Sequence, residues 1–304
     1  MAQAIGGQAV LEGVMMRGPR NWAVAVRKPD GEIAQVARPI DPLMARHWTL
    51  RLPVVRGVVA LGESLAIGFR ALSVSANYAA AEEADGDGEP AEIGRWAIFF
   101  SFAIAIGFAL MLFKVSPALI TKVLPVSGGG QFVIVEGLIR VAIFIAYLSL
   151  LTLIPSLRRV FQYHAAEHKA INAYEAGDEL TPENAQRHSL IHPRCGTAFL
   201  LWVMVIGVFV FATLGELDWQ WLILSRIALL PVIAGIAYEL IRYAGKHQDN
   251  RVLMTLLAPG LWLQRLTTRE PTLDQLEVSI RALREVLERE GRQAPADRRV
   301  EVMA

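Results

Sequence analysis

The sequence predicts a mainly α, polytopic membrane protein with about four transmembrane helices, a small N-terminal β-hairpin region and a C-terminal amphipathic helix. Three observations predict it. Of 304 residues, 54% are hydrophobic and 19% are charged, where an average soluble domain is about a quarter charged. The apolar excess lies in a few long uncharged runs. Lys and Arg gather on alternate connections between those runs. The net charge of +1 gives no global basic excess, so nucleic acid is not an expected partner. A single cysteine, Cys195, excludes an intramolecular disulfide and any Cys-x-x-Cys site. The N-terminus lacks a basic stretch followed by an apolar core, so no cleavable signal peptide is expected and the first span directs insertion.

Residues 1–52 read as a small soluble region. Trp22, Val24 and Val26 alternate with Ala23 and Ala25 in a strand, Asp30-Gly31 offers a type I′ turn, and residues 32–38 return as its partner. Gly6, Gly7, Gly13 and Gly18 punctuate the preceding stretch and read as turns or close backbone approaches. Residues 53–80 read as an amphipathic interfacial helix: Leu61, Leu65, Phe69 and Leu72 share a face that Arg56, Glu63 and Arg70 interrupt. Residues 81–95 are an acidic linker containing Gly and Pro.

Residues 96–251 form the membrane domain, with spans expected over 96–113, 132–157, 196–215 and 219–240. In the second span Glu136 and Arg140 lie one turn apart and can pair. Three residues, Glu216 to Asp218, make the third and fourth spans an antiparallel hairpin. Arg226 and Pro231 interrupt the fourth. Residues 252–304 hold an apolar segment too short to cross and broken at Pro259-Gly260, then an amphipathic helix over 272–290, then a tail without structure. Thr272 and Gln275 form a capping box, and Leu276, Ile280, Leu283 and Leu287 line one helix face. The basic residues of 158–195 and of the C-terminal region place both termini and that connection in the cytoplasm.

The densest polar cluster is Tyr163 to Lys169, expected to continue helically from the second span. His164 and His168 lie four apart, so both imidazoles leave one helix face, as two ligands of one metal do. Glu167 precedes the second histidine. The order His-x-x-Glu-His is that of inverted zincins, where the glutamate is general base toward a water the metal acidifies. A third ligand is needed. Glu239 ends the fourth span on the same side. His192, or the Cys195 thiolate beside it, directly precedes the third span. His188 and His247 share that face, so five of the six histidines map to one side of the membrane. A structural network of neutral histidines is the competing reading. Thr181 and Pro182 suit a helix start.

The segments GGQAVLEGVMMRGP from Gly6, YHAAEHKAINAYEAG from Tyr163, LTPEN from Leu180, HPRCGTAFL from His192 and LTTREP from Leu266 resemble the YqhQ-like bacterial membrane proteins. This family is built on a domain of unknown function, number 1385, and is described as a predicted metal-dependent enzyme. The resemblance covers nearly the whole chain. It implies a multi-span protein of the bacterial inner membrane with the His/Glu helix as its signature, and supplies no substrate.

Residues and resemblance lead to one expectation: a metal-dependent hydrolase with a divalent ion, zinc by preference, on His164 and His168. Glu167 is its general base, and Glu239 or His192 completes the site. Cys195 and His188 are further candidates. The alternative is a non-enzymatic scaffold or assembly factor whose histidines are structural, with another membrane protein as partner beside the lipid bilayer. A transporter would use Glu136, Arg140 and Arg226, and the few intramembrane charges give it little support.

Overall fold

The computed structural model describes residues 4–83, 95–126, 128–214 and 219–292. The acidic linker over 84–94, the turn over 216–218 and the tail over 293–304 lie outside the described residues. The N-terminal region holds more than a hairpin. Strands β1 (Gly6–Val10), β2 (Gly13–Arg17), β3 (Asn21–Arg27) and β4 (Ile33–Pro39) form an antiparallel sheet in sequential order. The expected hairpin is β3–β4, with Val24 opposite Val36. Its turn is not type I′, which needs positive φ at both central residues. Only Gly31 has one, at +87°, and the Gly31 amide bonds to the Lys28 carbonyl. Pro29 holds the negative φ of an ordinary turn start, which leaves the left-handed position to glycine.

The sheet is covered on both faces, which explains why Val14–Met16 of β2 and Trp22–Val26 of β3 are uninterruptedly apolar. On one face Val14, Met16, Ala23 and Ala25 meet helix α6 (Pro155–Ala176) and helix α11 (Leu273–Arg292). On the other, Met15, Trp22, Val24 and Val26 meet Ile67 and Ala71 of helix α2 (Val55–Glu83), which follows the short helix α1 (Leu43–Arg46). The capping box of α11 forms: the Thr272 amide donates to Gln275 Oε1 and the Gln275 amide to Thr272 Oγ1. Its Leu276, Ile280 and Leu283 are core residues, so this face is spent on internal packing.

The membrane part comprises a continuous helical run of α3 (Arg95–Leu110), a π-helical segment (Met111–Val115) and α4 (Ser116–Lys122), then α5 (Gly129–Leu151), α8 (Gly196–Ala212) and α9 (Trp219–Lys246). Among the described residues, four helices are long and apolar enough to cross a membrane: Val55–Tyr78, Ala103–Lys122, Gly129–Leu151 and Leu224–Lys246. The expected number is met with a different membership. The expected third span is 17 residues long and falls short of the others, while the helix expected to lie on the interface joins them. The first half of α2 packs on α9 through Ala60, and its second half covers the sheet.

Two expectations about continuity are corrected. The His/Glu helix does not continue from α5. The chain leaves the helix after Leu151 and restarts at Pro155, with Ile154 extended at φ −84°, ψ 114°. Proline lacks the amide that a continuous helix would need and excludes the helical conformation before it. Conversely, Pro259-Gly260 does not break the following segment: α10 (Arg251–Thr267) runs through both, and Gly260 fits against Ala198 and Trp202 of α8.

Candidate metal centre

Helix α6 starts with Pro155 at its first turn and ends on Gly177, whose φ of +82° supplies the left-handed C-cap. Its inward face carries His164, Glu167 and His168. The imidazole rings of the two histidines are 4.4 Å apart at their centroids. Cys195, the N-cap residue of α8, arrives from the other side, with Sγ 3.3 Å from His164 Nε2 and 3.1 Å from Thr197 Oγ1. One donor atom from each of His164, His168 and Cys195 lies within 4.8 Å of the others.

The outer nitrogens of both histidines are occupied. His164 Nδ1 meets the Thr267 carbonyl at 2.8 Å, and His168 Nδ1 meets the Leu190 carbonyl at 2.6 Å. A carbonyl only accepts, so both Nδ1 atoms carry a proton and each Nε2 is the nitrogen turned toward the centre. Metal-ligating histidines are held in this way.

The loop that delivers Cys195 follows the short helix α7 (Pro182–Gln186), which starts as expected, with Thr181 accepting from the Asn184 amide. Asn172 donates to the carbonyls of Ser189 and Ile191. Gln264, wholly buried in α10, bonds both the amide and the carbonyl of His192 at 2.9 Å. Arg194 donates to Glu175 at 2.5 Å and to the Ile5 carbonyl. Sequence reasoning passed over Asn172, Glu175, Gln264 and Thr267. A glutamine inside the otherwise apolar turns of α10 is the one signal that marked any of them.

Charges in the centre are coupled. Burial opposes protonation of His164, but the Cys195 thiolate and its hydrogen bond outweigh burial and raise the imidazole to about 9. Burial likewise opposes ionisation of Cys195, and the two imidazoles overcome it, holding the thiol well below its ordinary value. Glu167 is pushed up, by burial first and by the thiolate, against the pull of both histidines. Strand β1 closes over it: a Cβ on Gly7 would stand 2.6 Å from Glu167 Cγ.

The other expected residues fall elsewhere. Glu239 is not at the centre. Both its oxygens are taken by the guanidinium of Arg56, and Oε1 also accepts from the Val54 amide, because α2 packs on that turn of α9. His188 pairs with Asp178 at 2.8 Å, and His247 bonds the Tyr243 carbonyl. His192 is buried beside the centre, its ring 5.9 Å from that of His168. Its Nε2 lies 3.5 Å from Glu175, and among the described residues its Nδ1 has no hydrogen-bond partner. Burial and the neighbouring Arg194 lower it to about 4 despite Glu175. The third donor the fold supplies is therefore Cys195.

A helical bundle with apolar, membrane-length helices and a buried His–His–Cys centre beside a covered β-sheet defines the class as a polytopic membrane protein. The chain matches the family described as "Protein of unknown function (DUF1385)" over residues 52–289, and it belongs to that family. It is similar to the "Uncharacterized protein YqhQ" of Bacillus subtilis (strain 168), 35% identical over 299 residues, covering 95% of this chain and 93% of that protein. No solved structure matches it.

Proposed function

We propose that the protein is a metal-dependent hydrolase working at the cytoplasmic boundary of the bacterial inner membrane, with both termini on that side. His164 Nε2, His168 Nε2 and Cys195 Sγ would hold a divalent ion, and zinc suits that donor set. The observation that carries the reading is the convergence of these donors within 4.8 Å while both Nδ1 atoms are engaged by backbone carbonyls. Three protein ligands leave a coordination position open, as catalytic rather than structural zinc sites do. The bound ion would supply Lewis-acid polarisation of a carbonyl or phosphoryl group. Glu167, one residue from a ligand and pushed up by burial, has the character to accept a proton from the attacking water and pass it to the leaving group. Thr197 and His192 border the centre and can orient what enters it. The substrate class is a peptide, a lipid or another amphiphile.

Metal content by mass spectrometry tests the reading, on detergent-purified wild type beside His164→Ala/His168→Ala and Cys195→Ser. About one equivalent of zinc, iron or manganese in wild type, lost in the variants, is expected for a three-ligand site. Glu167→Gln should keep the metal and lose function. Folded wild type without metal would remove the metalloenzyme reading.

A second reading rests on the 3.3 Å contact of Cys195 with His164: the pair would act as a thiolate nucleophile and its imidazolium. Fast alkylation of Cys195 at neutral pH in metal-free wild type, slowed at least about tenfold in His164→Ala, would favour it. The non-enzymatic scaffold has less support, since the α11 face that it would use for docking is packed against β2, β3 and α6.

A further inference from the structure

A second polar cluster lies at the other end of the bundle. Phe211 of α8 is sixteen residues beyond Cys195, about 24 Å along a helix axis. Around it stand Lys114 of the π-helical segment, Glu136 and Arg140 of α5, and Arg226 of α9. Glu136 is divided between two guanidiniums: Oε1 accepts from Arg140, and Oε2 is 3.9 Å from Arg226. Lys114 Nζ and Arg226 Cζ lie 5.9 and 5.8 Å from the centroid of the Phe211 ring. Among the described residues, Lys114 makes no hydrogen bond or ion pair. Arg140 Nε is buried without a partner. Three cations thus face one carboxylate.

Depth makes this imbalance informative. Lys114, Glu136 and Arg140 lie 7 to 11 residues inside Lys122 and Gly129, the span ends on this side, and Arg226 stands near the start of the Leu224–Lys246 span. For the first three that is about 10–16 Å at the helical rise, along helices long enough to cross a hydrocarbon layer about 30 Å thick. Uncompensated charge at such depth is costly and marks a binding site by default. The π-helical segment Met111–Val115 is a second observation, since such bulges are disfavoured and recur at functional positions. Here it contains Lys114. Leu138 and Ile227, on the same turns as these charges, are 64% and 67% exposed, so the outer faces of the two helices are apolar, and Arg226 keeps 25% of its side-chain surface open.

We infer that Lys114, Arg140 and Arg226 form an intramembrane site for a phosphate-type oxyanion, with Glu136 holding the two guanidiniums apart in readiness. Guanidinium pairs recognise phosphate through paired N–H bonds, and the lysine adds a point charge. The anion is delivered by an anionic phospholipid or comes as free phosphate.

The test titrates full-length protein in detergent with phosphatidylglycerol, with phosphatidylcholine and with inorganic phosphate, counting adducts by native mass spectrometry. One saturable phosphatidylglycerol is expected, bound at least about tenfold more tightly by wild type than by Lys114→Gln or Arg226→Gln. Phosphatidylcholine, with no net charge, should bind no better to wild type than to the variants. Lys114→Arg should restore binding. Saturable binding of inorganic phosphate that the same variants lose would support the site and name the free ion as its source. Equal adducts on wild type and on folded Lys114→Gln, for every probe, would overturn the inference. Lys114 has no polar partner to lose, so its variant keeps the test decisive should Arg226→Gln not fold.

Discussion

Gly7→Ala tests the placement of Glu167 more sharply than removal of Glu167 itself. Gly7 has no positive φ, so alanine meets no backbone strain there. Its Cβ would stand 2.6 Å from Glu167 Cγ and 2.8 Å from both Cδ and Oε1. Glu167 is 3% exposed and helix α6 holds its backbone, so the carboxyl has little room to withdraw. Overpacking of this kind costs about 1–3 kcal/mol, which for a chain of this size lowers the thermal midpoint by roughly 2–10 °C. The decisive measurement is a double-mutant cycle. In a Glu167→Ala background the opposing atoms are gone, and Gly7→Ala should become neutral or stabilise by about 0.4–1 kcal/mol through the unfolded chain. The coupling should therefore exceed about 1 kcal/mol. Thermal unfolding of the four proteins in one detergent gives the four midpoints. An equal penalty for Gly7→Ala in both backgrounds would show that β1 does not press on Glu167, and the proposed seal over the centre would fall.

Three further outcomes are expected. Glu239→Gln should leave the metal stoichiometry of wild type unchanged, whereas Cys195→Ser should weaken metal binding by more than the roughly 10–100-fold typical of outer partners; a loss of metal in Glu239→Gln would reverse the assignment. Glu175 is lowered to about 2, because its hydrogen bond to His192 and the charge of Arg194 outweigh burial. Its folded value is depressed, so its stabilisation is present above the ordinary 4.5 and is lost as pH falls from there toward 2. Wild type should accordingly exceed Glu175→Gln in thermal midpoint at pH 7 and lose that advantage below about pH 4.5, while a constant gap would refute the linkage. Thr272→Ala removes one half of the α11 capping box and should cost about 1 kcal/mol, read as a lower midpoint with metal content intact.

Much of the architecture was legible because it is written in local patterns. The long apolar runs set the helices. The Glu136–Arg140 spacing set an ion pair within one turn, and Thr272 with Gln275 marked a helix start. His164 and His168 were readable as one-face partners because their relation lies inside a single helix. The glycine-rich start hid β1 and β2, and burial of β2 on both faces removes the polar alternation that identifies a strand. The break before Pro155 and the continuity through Pro259 were misjudged together. Proline at a helix's first turn and proline inside a helix read alike in sequence, and only the packing of Gly260 against α8 separates them.

The sequence by itself determined the class of the protein and two of its three candidate ligands, since both follow from interactions over a few residues. Tertiary structure decided the third. The sequence favoured Glu239 or His192 and held Cys195 and His188 as further candidates, all of them donors on the same side of the bundle. Cys195 wins because Gln264 and Asn172 hold its loop over α6, while the end of α10 brings the Thr267 carbonyl to His164 from 103 residues away. Glu239 loses because α2 packs Arg56 against it. These are contacts between distant parts of the chain, and no local pattern of residues encodes which of them forms.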